Sequence, residues 1–405
     1  MGPEAASASS RLERLAARYL GELLAPSRRS EGTWGSVRGT GDALIAVGEC
    51  LPPSALPDLR SAALRFLVDS LDVHPDGASG LWESEAWDSA IACLALAANR
   101  EAWPAADEPL SCGIAGLHRL YQPTRGNWND EPWESSWALL ALTWSEGAGL
   151  PLRDTEASLS WLASLVDRRR ARLVNWHYGA LFVLVVRALH ASGQASGLSE
   201  RLVDELTGHE AALTGAMRER LESGTTWTLE AWSNGLVLLA LARSDGLPAS
   251  SDALRPLLRW FEEQPLAELM PEELAFAALG LFESAAKLRA NHGAVGPKAG
   301  LRRSVWERIS ARCPDYRARP PLLSRELPGF YTIHLPKQAT RAVLILLATA
   351  LVATFSSLDA LGLPPRVEIA ARWVAIAAGA LATVLSLLEL PIRSVLRSES
   401  RDDDD

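Results

Sequence analysis

The sequence is sparing with cysteine: Cys50, Cys93, Cys112 and Cys313 are the only four, and none forms a CxxC pair. Zinc clusters and disulfide frameworks need closely spaced or paired thiols, so neither is indicated, and no metal or other cofactor is expected. Cys93 sits inside an apolar run, which fits a reducing compartment. Positive charge is not in excess either. Forty Lys and Arg against 49 Asp and Glu give a net charge of -9, with a pI near 5.4. Nucleic acid is thereby a poor partner, because phosphate contacts require a basic face. The opening MGPEAASASS has no basic stretch leading into an apolar one, so no cleavable signal peptide is expected.

What the chain has in quantity is tryptophan, 15 residues, and a repeat built around it. Six apolar blocks recur: GDALIAVGEC from Gly41, WDSAIACLAL from Trp87, WESSWALLAL from Trp133, WHYGALFVLV from Trp176, WSNGLVLLAL from Trp232 and EELAFAALGL from Glu272. Their starts lie 46, 46, 43, 56 and 40 residues apart, a period that accommodates two helices and two turns. Three copies share a longer opening turn in which Trp82 and Trp87, Trp128 and Trp133, and Trp227 and Trp232 stand five apart behind Gly80, Gly126 and Gly224. Trp34 after Gly32 has the same look.

Between the blocks lie amphipathic segments at Arg11 to Leu24, Leu56 to Leu71, Ser111 to Tyr121, Thr155 to Val166, Ser199 to Arg220 and Ser251 to Phe261. A helix apolar all round must be enclosed and an amphipathic one needs a wet side. The pattern predicts an all-α fold, an (α/α)6 toroid of six helical hairpins over residues 8–289, with the apolar helices inside.

Residues 290–341 read as a connector with a short helix around Leu301 to Arg312, then a Pro- and Arg-rich tether. Ala342 to Leu358 and Trp373 to Leu388 contain no ionisable residue, which predicts a transmembrane helical hairpin over 342–392 and a short acidic tail over 393–405. Arg317, Arg319, Arg325, Lys337 and Arg341 before the first span and Arg393, Arg397 and Arg401 after the second outweigh Arg366 and Arg372 near the link. The positive-inside rule then places the toroid and both termini on the cytoplasmic side of an inner membrane. Ala375, Gly379 and Thr383 give the second span a small-residue face, suited to its hairpin partner or to an oligomer.

The motifs GLWESEAWDSAIACLAL, GNWNDEPWESSWALLAL and GTTWTLEAWSNGLVLLAL resemble the prenyltransferase and squalene-cyclase repeat of the terpenoid cyclase and protein prenyltransferase α/α-toroid superfamily. The resemblance spans about two thirds of the chain and implies a central cavity for an isoprenoid or similar apolar group. The cyclases of that superfamily protonate from a DxDD motif inside the toroid; here the only such string, Asp402 to Asp405, follows the hairpin. The D-x-C zinc element of the protein prenyltransferases and the Gln-rich element of the squalene-type cyclases are missing.

Directly after the block-opening positions stand Asp42, Asp88, Glu134, His177, Ser233 and Glu273, which equivalent repeats would gather at one mouth of the ring. They read either as helix caps or as chemistry. In the chemical reading Asp88 and Glu134, with Asp130 and Glu131 nearby, form a carboxylate pair for general acid or base work, and His177 is a third catalytic candidate. Arg168, Arg169, Arg170 and Arg172 precede Trp176, His177 and Tyr178, and would form an anion site for a diphosphate or a lipid headgroup, or a solvated basic turn. Trp82, Trp87, Trp128, Trp133, Trp176, Trp227 and Trp232 either line a ligand site or wedge the hairpins together.

The chain thus reads as a membrane-anchored toroid that binds an apolar or isoprenoid-like ligand as sensor, scaffold or effector, without the family's catalytic motifs. The alternatives are a divergent cyclase or prenyltransferase-like enzyme on a lipid, a toroid controlling a membrane-disrupting hairpin, and a carbohydrate-active (α/α)6 barrel.

Overall fold

The structure is a computed structural model that describes residues 3–30, 32–75, 77–144, 152–169, 176–248, 251–291, 296–312, 330–333 and 394–397. The chain is mostly helical and of the all-α class, and it divides into two compact units, Met1–Ser324 and Arg325–Asp405.

In the first unit, apolar helices α2 (Val37–Cys50), α4 (Ala86–Ala98), α6 (Pro132–Trp144), α8 (Trp176–Ala191), α10 (Ala231–Arg243) and α12 (Pro271–Asn291) alternate with a second set. That set is α1 (Pro3–Leu23), α3 (Pro57–Asp69), α5 (Asp107–Leu120), α7 (Leu152–Arg169), α9 (Glu200–Glu222) and α11 (Ser251–Glu263), and α13 (Pro297–Arg312) follows. The two sets differ in what they bury. In α10 every residue from Ser233 to Ala242 is buried, whereas α9 buries a stripe through Leu202, Leu206, Leu213, Met217 and Leu221. Each helix of the first set packs on the next, from α2 through α4, α6, α8 and α10 to α12, and α12 packs back on α2. The circuit is closed.

Close approach within the circuit depends on glycine. A Cβ on Gly280 of α12 would collide with the Gly235 carbonyl oxygen of α10, and one on Gly235 with the carbonyl of Phe276. The helix starts follow from local chemistry: Ser36 caps α2 by accepting from Gly39 N at 3.0 Å, and proline opens α3, α6, α12 and α13, where its missing N–H costs nothing.

The tryptophan turns repeat one hydrogen-bonded lock. The indole Nε1 of Trp34, Trp82, Trp128 and Trp227 donates to the carbonyl of Leu23, Leu67, Leu117 and Met217, at 2.7, 2.6, 2.9 and 3.0 Å, each on the preceding outer helix. The backbone N of the same four tryptophans donates to Thr40 Oγ1, Ser89 Oγ, Ser135 Oγ and Asn234 Oδ1 in the first turns of α2, α4, α6 and α10, at 3.0 to 3.1 Å. One buried side chain thus pins an outer helix end to an inner helix start. The residues after Trp82 and Trp128 turn through left-handed backbone, Glu83 and Ser84 in one copy and Asn129 and Asp130 in the other. In the fifth copy Asn234 reaches both Trp227 N and Thr228 N instead, and no positive φ is needed.

Two short ribbons lie outside the expected pattern. β1 (Asp72–Val73) pairs antiparallel with β2 (Gly80–Leu81) just ahead of Trp82. In the second unit β3 (Phe330–Ile333) pairs antiparallel with β4 (Ser394–Arg397), so the segment read as a tether and the start of the acidic tail each hold a strand. α13 lies where the connector was expected to carry a short helix around Leu301 to Arg312, and it packs on α1, α2 and α12. Among the described residues no helix is long and apolar enough to cross a membrane. The runs 342–358 and 373–388, including Ala375, Gly379 and Thr383, lie outside the described residues.

Candidate functional site

A cavity between the six inner helices takes Ile45 from α2, Leu94 from α4, Leu140 from α6, Leu184 from α8, Leu239 from α10 and Leu279 from α12. It measures about 20 Å³, because Trp137, Trp144, Phe276 and Arg243 fill the rest of the lumen. That is room for about one water, whereas pockets for small ligands run to about 300 Å³ or more. The resemblance implies an isoprenoid-sized cavity; at this point bulky side chains from facing helices meet across the axis.

The cavity residues also set the register of the ring. Seven residues earlier on a helix is nearly two full turns, the same face about 10 Å nearer the N-terminus. Counting seven residues towards the N-terminus from the six cavity residues gives Arg38, Trp87, Trp133, His177, Trp232 and Glu272, one per inner helix, at the mouth. The contacts agree with that layer. The Arg38 guanidinium stands 3.5 Å over the Trp87 ring, and ring centroids are 5.3 Å apart for Trp87 and Trp133, 5.3 Å for Trp133 and His177, and 4.9 Å for His177 and Trp232. Trp133 reaches Trp232 across the ring at 5.5 Å, past α8, and Trp137 one turn deeper reaches Phe276 of α12 at 5.5 Å. These ring contacts, edge-on except for the tilted His177–Trp232 and Trp137–Phe276 pairs, plug the mouth with an aromatic floor in which Trp87, Trp133 and Trp232 stay half-buried.

The acids are distributed differently from the sequence expectation. Asp88, almost fully buried, accepts from Arg38 Nε at 2.8 Å, while Glu134 accepts from Asn129 Nδ2 at 2.9 Å. The Asp88 and Glu134 carboxyls are thus engaged on different partners. The acid that feels Asp88 from across the helix interface is Asp42 on α2, whose own carboxyl is buried. Burial, then Glu272 and Asp88, push Asp42 well above the usual carboxylate range against the pull of Arg38. Burial likewise lifts Asp88 to about 7, with Glu83 and Glu85 adding to it and Arg38 opposing. Among the described residues Asp42 Oδ1 and Asp88 Oδ2 have no hydrogen-bond partner. Burial and Glu273 raise Glu230 at the same rim.

Other expected site residues fall into structural roles. Glu273 Oε2 accepts from Met270 N at 2.9 Å, a capping contact at the start of α12. Asp130 takes Asn127 Nδ2 at 3.1 Å in the turn around Trp128, and Ser233 is wholly buried. Tyr178 packs on Trp133 and His177 and donates to Glu131 Oε1 at 3.4 Å, and Trp176 packs half-buried on the core. Trp82, Trp128 and Trp227 are buried in the indole locks, the place of the wedging alternative. Arg170 and Arg172 lie outside the described residues, as do the side chains of Arg168 and Arg169. Among the described residues no group of His, Cys, Asp and Glu could hold a metal ion.

Arg38, Glu272, Trp137 and Phe276 were missed as site residues. The missing signal was register: the first repeat aligns at Arg38 rather than Gly41, and the fourth at His177 rather than Trp176. Comparison with protein-family models and with curated proteins finds no match.

Proposed function

We propose that the first unit is an (α/α)6 toroid of the terpenoid-cyclase-like kind, acting without catalysis as a sensor or scaffold that receives an apolar or amphiphilic group at its aromatic mouth. In this proposal residues 342–392 anchor it to a bilayer as a two-helix hairpin, with the toroid and both termini cytoplasmic, and the hairpin is where an oligomer would form. The observation that carries the reading is the filled lumen. A cavity of about 20 Å³ is too small for an isoprenoid chain, while Trp87, Trp133 and Trp232 keep part of their surface at the mouth. Half-buried tryptophan offers a large rigid apolar face at small entropic cost, which suits recognition of a chain or ring laid against it.

The test uses the full chain in detergent. A fluorescent farnesyl probe is expected to bind, to bind at least about tenfold more weakly to Trp232→Ala, and to stay unconverted along with isoprenoid diphosphates and cyclisable polyenes. Turnover, or equal binding to the variant, would overturn the reading. A rival enzyme reading draws on one observation, the buried Asp88 carboxyl raised to about 7, a value suited to a proton donor. Turnover abolished by Asp88→Asn would favour it.

A further inference from the structure

The first and last repeats meet where α12 packs back on α2 and α1 packs on α12. α13 lies on all three helices, and it reaches each with a donor or an ion pair. Glu13 of α1, 2% exposed, accepts from Ser304 Oγ at 2.5 Å and Arg308 Nε at 2.7 Å on α13, and from Arg289 of α12. Arg302 Nε donates to the Glu49 carbonyl at the end of α2 at 2.9 Å. Lys298 Nζ meets Glu283 of α12 at 2.7 Å. The apolar share of the contact is the buried stripe Leu301, Val305 and Ile309, with Trp306 part-buried against the core.

We propose that α13 is a releasable ionic clasp that holds the ring closed at its seam. Its release is asymmetric. Lys298 and Arg308 come from the solvent side, with side chains 46% and 41% exposed, whereas the Glu283 and Glu13 side chains are 6% and 2% exposed. When the cations leave they regain water, but the carboxylates stay buried with fewer partners. A buried charge stripped of its partner is strongly unfavourable, so departure of α13 loosens α1 and α12 as well. Glu283 extends the effect to the lumen, because it also holds Arg243 of α10 at 3.4 Å, and Arg243 stands 4.6 Å over Trp144 at the C-terminal end of the cavity. These two cations keep Glu283 in its charged form, below its usual range despite the burial that pushes it up. Among the described residues α13 is the last helix before Arg325 in chain order.

Hydrogen exchange on the full chain tests the clasp, comparing wild type with Lys298→Ala/Arg302→Ala/Arg308→Ala. Exchange in α1, α12 and α13 is expected to quicken about tenfold or more while α4 and α6 keep their rates, and raised salt should move wild type the same way. Acceleration in α13 alone would make it a passive appendage, and an equal acceleration everywhere would make it a general stabiliser; either overturns the proposal, as does no change. If the triple variant fails to fold, Lys298→Ala alone carries the same comparison.

Discussion

The mouth carries more buried acid than its one stacked arginine answers, and that has a measurable consequence at Asp88. With its carboxyl lifted to about 7, the folded protein keeps a proton between about pH 4 and pH 7 that the unfolded chain has released. Stability therefore falls as pH rises through that window and levels off above it. Asp42 and Glu230 are displaced in the same direction and add to the slope. Asp88→Asn stays uncharged throughout, so relative to wild type it should gain on the order of a few kcal/mol from pH 4 to pH 7, offset by its weaker hold on Arg38. Urea midpoints of the two proteins at several pH values would show it, and a constant difference would mean that Asp88 is ionised over the whole range. Very little of this was legible in the chain, where Asp88 looks like any first-turn acid. Its partner Arg38 stands 50 positions away, and only burial against α2 separates Asp88 from Glu134, which occupies the same place in its own repeat.

Helices were the most legible feature. The segments expected from Leu56, Ser199 and Ser251 correspond to α3, α9 and α11, because an apolar stripe at helical spacing and a run with no polar face each leave a distinct mark. Contact between helices left a weaker mark. Gly235 and Gly280 resemble ordinary small residues in apolar runs, yet together they let α10 and α12 approach backbone to backbone. Gly280→Ala should therefore destabilise by about 1–3 kcal/mol, through the shift that its methyl group forces. Gly208→Ala on α9, where a Cβ meets nothing within 4 Å, should be neutral or stabilise by up to about 1 kcal/mol. Thermal or urea denaturation of the two variants distinguishes packing from helix propensity, since propensity alone would favour both. The ribbons were illegible for a different reason: β1 and β2 are two residues each, too short for any alternation to register, and β3 and β4 pair across more than 60 residues.

At the scale of the molecule, six inner helices closing on themselves leave an axis, and what occupies the axis decides what the ring can do. Trp137 reaches from α6 to Phe276 on α12 and takes up the middle. Trp137→Ala should cost about 3–5 kcal/mol and leave a cavity lined by leucines, into which indole binds where wild type takes up none. Equilibrium denaturation gives the first quantity and indole titration by calorimetry the second. A variant that loses stability yet binds no indole would mean that the ring collapses into the space. The sequence by itself determined that the fold is all-α, which helices are enclosed, and where the tryptophan turns fall, because periodicity and apolar content are properties of neighbouring residues. Only the tertiary structure decided that those turns are locks, that α12 returns to α2 with α13 across the join, and that the centre is filled. Those outcomes depend on which faces and side-chain volumes meet from helices far apart in the chain, and composition along one helix does not encode what stands opposite it.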